Sequence, residues 1–151
     1  VLGGQYEVIH HTQFLQELIE QGKIKISDSN EWKGKSITYH DSCYLGRSNE
    51  IYEAPRKVLE SLDLELREMK RCKSKGLCCG AGGAQMFKEE EKGDKRVNME
   101  RAEEAIATDA AFVASACPFC NTMLTDGIKN RSEEVKTEVL DIAEIIAKAI
   151  S

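Results

Sequence analysis

Apolar and polar positions alternate along this chain between a strand-like period of two and a helix-like period near 3.6. Tyr6-Glu7-Val8-Ile9-His10 reads as a first strand. Thr12 stands where it N-caps a helix with Phe14, Leu15, Leu18 and Ile19 on one face, and Gly22 ends that helix as a C′ glycine. Ser27 to Gly34 is polar loop, and Lys35-Ser36-Ile37-Thr38-Tyr39-His40 is a β-branched and aromatic strand. Pro55 suits the first turn of a helix running through Val58, Leu59 and Leu62. Leu64 to Met69 alternates apolar and polar as a third strand, and Ser74 to Gly83 is glycine-rich loop. Arg96 to Thr108 is helical. Ala111-Phe112-Val113-Ala114-Ser115 is a buried strand, Pro118 to Gly127 a helix, and Glu138-Val139-Leu140 a last strand. Asp141 N-caps a final helix carrying Ile142, Ile145, Ile146 and Ile150.

Strands that alternate with helices make βαβ units. The fold class this predicts is α/β: an open, mostly parallel sheet of about four to five strands flanked by helices. The order of strands is not readable from the pattern. The 151 residues suit one domain with its own core. The chain begins at Val1, and the expectation is that residues 1–151 are one domain of a longer protein.

Composition removes several classes of function. Apolar residues are 41% and charged residues 31%, an ordinary globular balance. The net charge of −5, with both signs mixed, argues against nucleic acid or an anionic membrane as partner. The chain has no apolar run long enough to span a bilayer and no signal-peptide pattern at its start, so a cytoplasmic setting is expected.

Six cysteines, at 43, 72, 78, 79, 117 and 120, change the picture most. They are too few for a disulfide scaffold, and their uneven clustering points to metal or redox chemistry in a reducing compartment. Cys43 follows the second predicted strand, Cys78 and Cys79 the third, and Cys117 and Cys120 the fourth. Open α/β sheets bind ligands outside the carboxyl ends of their strands, so five cysteines should meet at one edge. Cys72, beside Lys73-Ser74-Lys75 in a charged, exposed stretch, is read as incidental.

Cys117-Pro118-Phe119-Cys120 is the sharpest local element. Pro118 fits the first helical position, which makes Cys117 the N-cap and turns free N–H groups and the helix dipole toward the sulfurs. Cys78-Cys79-Gly80-Ala81-Gly82-Gly83 offers two adjacent thiols on a backbone that Gly80, Gly82 and Gly83 let approach a ligand closely. Adjacent cysteines would be strained on one tetrahedral zinc and suit a polynuclear cluster better. His40, in His40-Asp41-Ser42-Cys43, is either a ligand or, more in keeping with such histidines, a hydrogen-bonding neighbour of the ligands. His10 and His11 either approach the same edge or punctuate the first strand.

The order Cys43, 34 residues, Cys78-Cys79-Gly80, 36 residues, Cys117-x-x-Cys120 resembles the CCG cysteine-rich domain. That domain occurs in the heterodisulfide reductase family and in related iron–sulfur oxidoreductases of glycolate, lactate and glycerol-3-phosphate metabolism. The flanks His40-Asp41-Ser42-Cys43-Tyr44-Leu45-Gly46-Arg47, Ala54-Pro55-Arg56 and Ala116-Cys117-Pro118-Phe119-Cys120 agree, although Ser42 stands where many relatives carry proline. The resemblance implies that Cys43, Cys78, Cys79, Cys117 and Cys120 bind a noncubane [4Fe-4S] cluster, with zinc in some members. It also implies a C-terminal piece of a larger oxidoreductase, working with other domains and electron-transfer subunits and tied to a membrane only through the parent. The expected function is therefore an electron-transfer module not active alone. Two alternatives remain. One is a zinc-binding structural or docking domain. The other is a glutaredoxin-like thiol–disulfide oxidoreductase, which Cys117-Pro118-Phe119-Cys120 also resembles. Against the latter, only 31 residues follow Cys120 and none is proline.

Overall fold

The structure, a computed structural model, describes residues 3–89, 93–131 and 137–150. Four short strands form one sheet: β1 (Ser36–Tyr39), β2 (Glu65–Leu66), β3 (Phe112–Ser115) and β4 (Glu138–Asp141). Their order is β2-β1-β3-β4, and every pair is parallel. Parallel neighbours need crossover connections, and helices supply them: α3 (Glu53–Glu60) between β1 and β2, α4 (Val97–Ile106) between β2 and β3, and α5 (Pro118–Lys129) between β3 and β4. Before the sheet stands α1 (His11–Glu20), after β1 a single turn α2 (Gly46–Asn49), and after β4 the helix α6 (Ile142–Ala149).

The chain leaves β1 toward β2 on one side and returns across to β3 on the other. The direction of winding therefore reverses between β1 and β3, and ligands of open α/β sheets sit outside the strand ends at such a reversal. The two windings also place helices on opposite faces. Val58, Leu59 and Leu62 in and after α3 pack with Ile142, Ile145 and Ile146 of α6, Trp32, and Ile37 and Tyr39 of β1. Ala102 and Ala105 of α4 pack with Leu124 and Ile128 of α5 on Val113 of β3. Adjacent Val113 and Ala114 thus serve different cores, as the two-residue period of a strand requires. Trp32 is buried, and its indole Nε1 donates to Ile145 O at 3.0 Å.

Several expectations are corrected. Tyr6 to His10 forms no strand: Tyr6 is 86% and Val8 89% exposed, and no neighbouring strand receives them. The N-cap of α1 is His10, not Thr12: Nδ1 accepts from Thr12 N, the Gln13 side chain caps the His10 N–H, and Thr12 itself is buried. The third predicted strand shrinks from Leu64–Met69 to Glu65–Leu66, because only Ser36 and Ile37 of β1 are opposite it. Gly22, at φ +66°, follows the end of α1 in the left-handed conformation expected of it. Among the described residues, no helix is long and apolar enough to cross a membrane.

Candidate metal centre

The strand ends deliver the functional side chains. Past β1 the chain stays buried through His40, Asp41 and Ser42 before Cys43 emerges half-buried. Asp41 explains this path. Its carboxylate accepts from both terminal guanidinium nitrogens of Arg56, at 2.8 and 3.0 Å, and from Lys73 N at 2.6 Å. Arg56 also donates to Glu68 and to Tyr52 O and lies over the Tyr39 ring. One buried ion group thus ties the loop to Cys43, helix α3 and the segment leading to Cys78. Burial works against the Arg56 charge, but the bonds to Asp41 and Glu68 outweigh it and hold the guanidinium firmly protonated. Removing one partner of such a pair costs roughly 3–5 kcal/mol.

Cys117 is the N-cap of α5, extended at φ −154° and ψ 128°, with Pro118 at the first helical position. Cys120 lies one turn in and is buried. Its thiol contact, opposed by burial and helped by the N–H groups of Cys120 and Phe119, pulls the Cys117 pKa down to about 6. Cys79 is also buried, and packs with Ala81 and Cys120 against Met86 and Met123. Contacts with the Cys120 and Cys78 thiols, then His40 and the N–H of Ala81, overcome burial and drive Cys79 to thiolate. Cys78 and Cys120 are pushed the other way. Cys78 is raised by Cys79 and by burial; Cys120 is raised by Cys117, by Cys79 and by burial. Four sulfurs therefore form one continuous chain, Cys78–Cys79–Cys120–Cys117. Cys43 borders a 370 Å³ cavity with Cys117, and a narrow crevice with Cys78.

Backbone geometry supports the thiols. Gly80 sits at φ +93°, a backbone conformation that favours glycine, and sends its N–H to Cys78 Sγ at 3.3 Å. Gly83 is also left-handed, at φ +65°, whereas Gly82 is not and faces open space.

The structure brings His40 to the thiols as well: one of its ring nitrogens lies within 4.8 Å of Cys79 Sγ and Cys120 Sγ. His10 and His11 also reach the carboxyl edge, His10 against the backbone of Ala116 and His11 4.0 Å from Asp141. Cys72 is half-buried rather than exposed, and burial, then Glu68, raises its pKa. The sequence reading gave no role to two arginines, although Arg56 stood in the matching flank Ala54-Pro55-Arg56. Arg56 and the fully buried Arg101 sit on inward faces of their helices, and an arginine at apolar spacing was the signal available.

Among the described residues, several buried polar atoms have no hydrogen-bond partner, and His40 Nε2, Ser42 Oγ and Ser115 Oγ at the strand ends are among them. Such orphans are costly unless a further group meets them. Five thiols, two of them adjacent and two already favouring thiolate, supply more sulfur than one tetrahedral ion takes. The donor set fits a polynuclear iron–sulfur group.

The fold and site define an α/β domain with a parallel sheet whose carboxyl edge gathers cysteines at the point of winding reversal. Residues 37–125 match the CCG cysteine-rich domain, and the chain belongs to that family. It is 42% identical over 149 residues to the "Probable iron-sulfur-binding oxidoreductase FadF" of Bacillus subtilis, covering 98% of this chain and 21% of that protein. It is 41% identical over 155 residues to "EtfAB:quinone oxidoreductase" of Syntrophomonas wolfei, covering 99% and 21%. One of the subunits of the dihydromethanophenazine:CoB–CoM heterodisulfide reductase of Methanosarcina mazei is 40% identical over 146 residues, covering 96% and 34%. The chain spans about a fifth to a third of the length of these relatives.

Proposed function

We propose that this domain is the iron–sulfur electron-transfer module of a longer oxidoreductase, with Cys43, Cys78, Cys79, Cys117 and Cys120 as the ligands of a noncubane [4Fe-4S] cluster. The observation that carries this reading is the run of four interacting sulfurs, Cys78–Cys79–Cys120–Cys117, with Cys43 lining one cavity with Cys117 and a crevice with Cys78. When bound, the group supplies a site that takes up and releases electrons near the protein surface. The chain's own residues do the rest. Asp41 and Arg56 fix the loop of Cys43, the N-terminal N–H groups of α5 favour thiolate at Cys117, and Gly80 turns the backbone toward Cys78.

His40, Gly80, Gly82 and Gly83 border the cofactor in this proposal, His40 as a hydrogen-bonding neighbour. The electron partners are other domains of the parent protein and separate electron-transfer subunits, on the cytoplasmic side. The names of the relatives support the cofactor class. The sulfur geometry supports the ligand set.

The test is anaerobic reconstitution followed by iron, zinc and acid-labile sulfide analysis. Brown protein with iron and sulfide near four per chain is the expected result. Colourless protein holding one zinc and no sulfide would instead establish the zinc-binding structural domain, for which the close grouping of His40, Cys79 and Cys120 provides a starting site.

A further inference from the structure

We infer that Arg101 is a positioning residue for the thiolate site, holding His40 so that its imidazole donates a hydrogen bond to the Cys79 sulfur and does not ligate metal. The inference rests on the iron–sulfur reading of the cysteines and assigns roles to two residues beyond them.

Arg101 is 0% exposed, on the inward face of α4. Its Nε donates to His40 Nδ1 at 2.9 Å. A guanidinium keeps its protons, so Nδ1 must be the lone-pair nitrogen and a neutral His40 carries its proton on Nε2. Nε2 is the buried ring nitrogen without a partner, and Cys79 is the sulfur the ring interacts with. A nitrogen that still bears its proton does not bind metal. The grouping of His40 with Cys79 and Cys120 thus resembles a metal site in distance alone.

Arg101 cannot swing away, because Nη1 is held by Arg71 O at 2.7 Å and Glu104 Oε2 at 2.6 Å. Glu104 in turn accepts from Arg71 at 2.8 Å, which fixes the carboxylate that holds Arg101 in place. His40 is anchored from its backbone too, with His40 N donating to Ala114 O at 2.9 Å. The result is a rigid relay from α4 through the end of β1 to the sulfur. Donors to cluster sulfurs favour the reduced, more negative state and raise the reduction potential.

Two measurements test this. In metal-free protein labelled with 15N-histidine, NMR should show His40 as the Nε2–H tautomer. Arg101→Met, checked for folding by circular dichroism, should lose that preference. In reconstituted protein, His40→Leu should keep wild-type iron and sulfide but shift the potential to more negative values. His40→Gln places an amide N–H where Nε2–H stands and should recover most of the shift. Loss of iron in His40→Leu, an unchanged potential, or an Nδ1–H tautomer in the wild type would overturn the inference. Should wild-type protein take up no iron at all, the proposed function fails, while the NMR arm still decides the Arg101–His40 assignment. If Arg101→Met does not fold, the wild-type tautomer and the two His40 variants carry the test.

Discussion

At the scale of single residues, the six cysteines are not equivalent, and substitution should separate them. Cys79→Ser should abolish or convert the cluster, because serine is a harder and far less acidic ligand than thiolate. Cys72→Ser should leave iron and sulfide content nearly unchanged, since Cys72 lies beside the Asp41–Glu68 acids and outside the sulfur chain. Equal cluster loss in the two variants would show the ligand set to be wrong. His40 gives a pH prediction. Burial, and secondarily the Arg101 charge, lowers its pKa against the pull of Cys79. The unfolded imidazole takes up a proton below about pH 6.5 while the folded one does not, so stability falls as pH drops through that range. Metal-free His40→Gln should lose less stability than wild type between about pH 8 and pH 5.5. A residual slope stays with His10, which burial and His11 also lower, and with the Cys79 and Cys117 thiols, which the fold holds below their ordinary value. Equal urea midpoint shifts in the two proteins would contradict a neutral buried His40. The grouping of the cysteines was legible because cysteine clustering has few other causes. Asp41, Arg56 and Arg101 were not, because a charge within a helical or loop stretch looks solvated until the fold supplies its partner.

At the scale of elements, two close fits carry the frame of the site. Gly127 of α5 lies under α4, where an added Cβ would stand 2.6 Å from Asn98 O and 3.0 Å from Ala102 Cβ. Gly127→Ala should therefore destabilise by about 1–3 kcal/mol despite its better helix propensity, read as a lowered urea midpoint. An unchanged midpoint would mean that α4 moves aside freely. At the other end of the sheet, Asp141 accepts from Ala143 N at 2.8 Å while Glu144 caps the Asp141 N–H, a reciprocal capping box. Asp141→Ala should cost about 1 kcal/mol, and a loss within error would make the cap dispensable. The caps at Asp141 and Cys117 and the strands β1, β3 and β4 were readable, because each is a local preference that packing reinforces. The false strand at Tyr6 to His10 shows the opposite case. Its apolar residues alternate correctly, but a strand exists only when another strand pairs with it, and that is a property of distant sequence. β2 was overextended for the same reason, its length being set by its partner β1.

At the scale of the whole molecule, the cores and the sulfur site are separate. The two apolar cores, on either face of the sheet, include none of the six cysteines, and Cys79, Cys117 and Cys120 belong to a small third cluster. The domain should therefore fold without metal. After chelation and denaturant-free purification, Trp32 emission should remain blue-shifted and far-ultraviolet circular dichroism should remain α/β. An unfolded, red-shifted chain would show that the metal site and the core depend on one another. The parallel topology was legible in the alternation of elements, but the winding reversal between β1 and β3 was not, since strand order is decided by which faces find each other in three dimensions. That reversal puts Cys43 and Cys117 on the two sides of one opening, and the burial of the other sulfurs grades inward from it. Cys43, Cys78 and Cys117 are half-buried, while Cys79 is 4% and Cys120 2% exposed. For any oxidant or alkylating reagent arriving from solvent, the gradient becomes a sequence in time. The rim sulfurs are modified first, and the two against the core are the last to change.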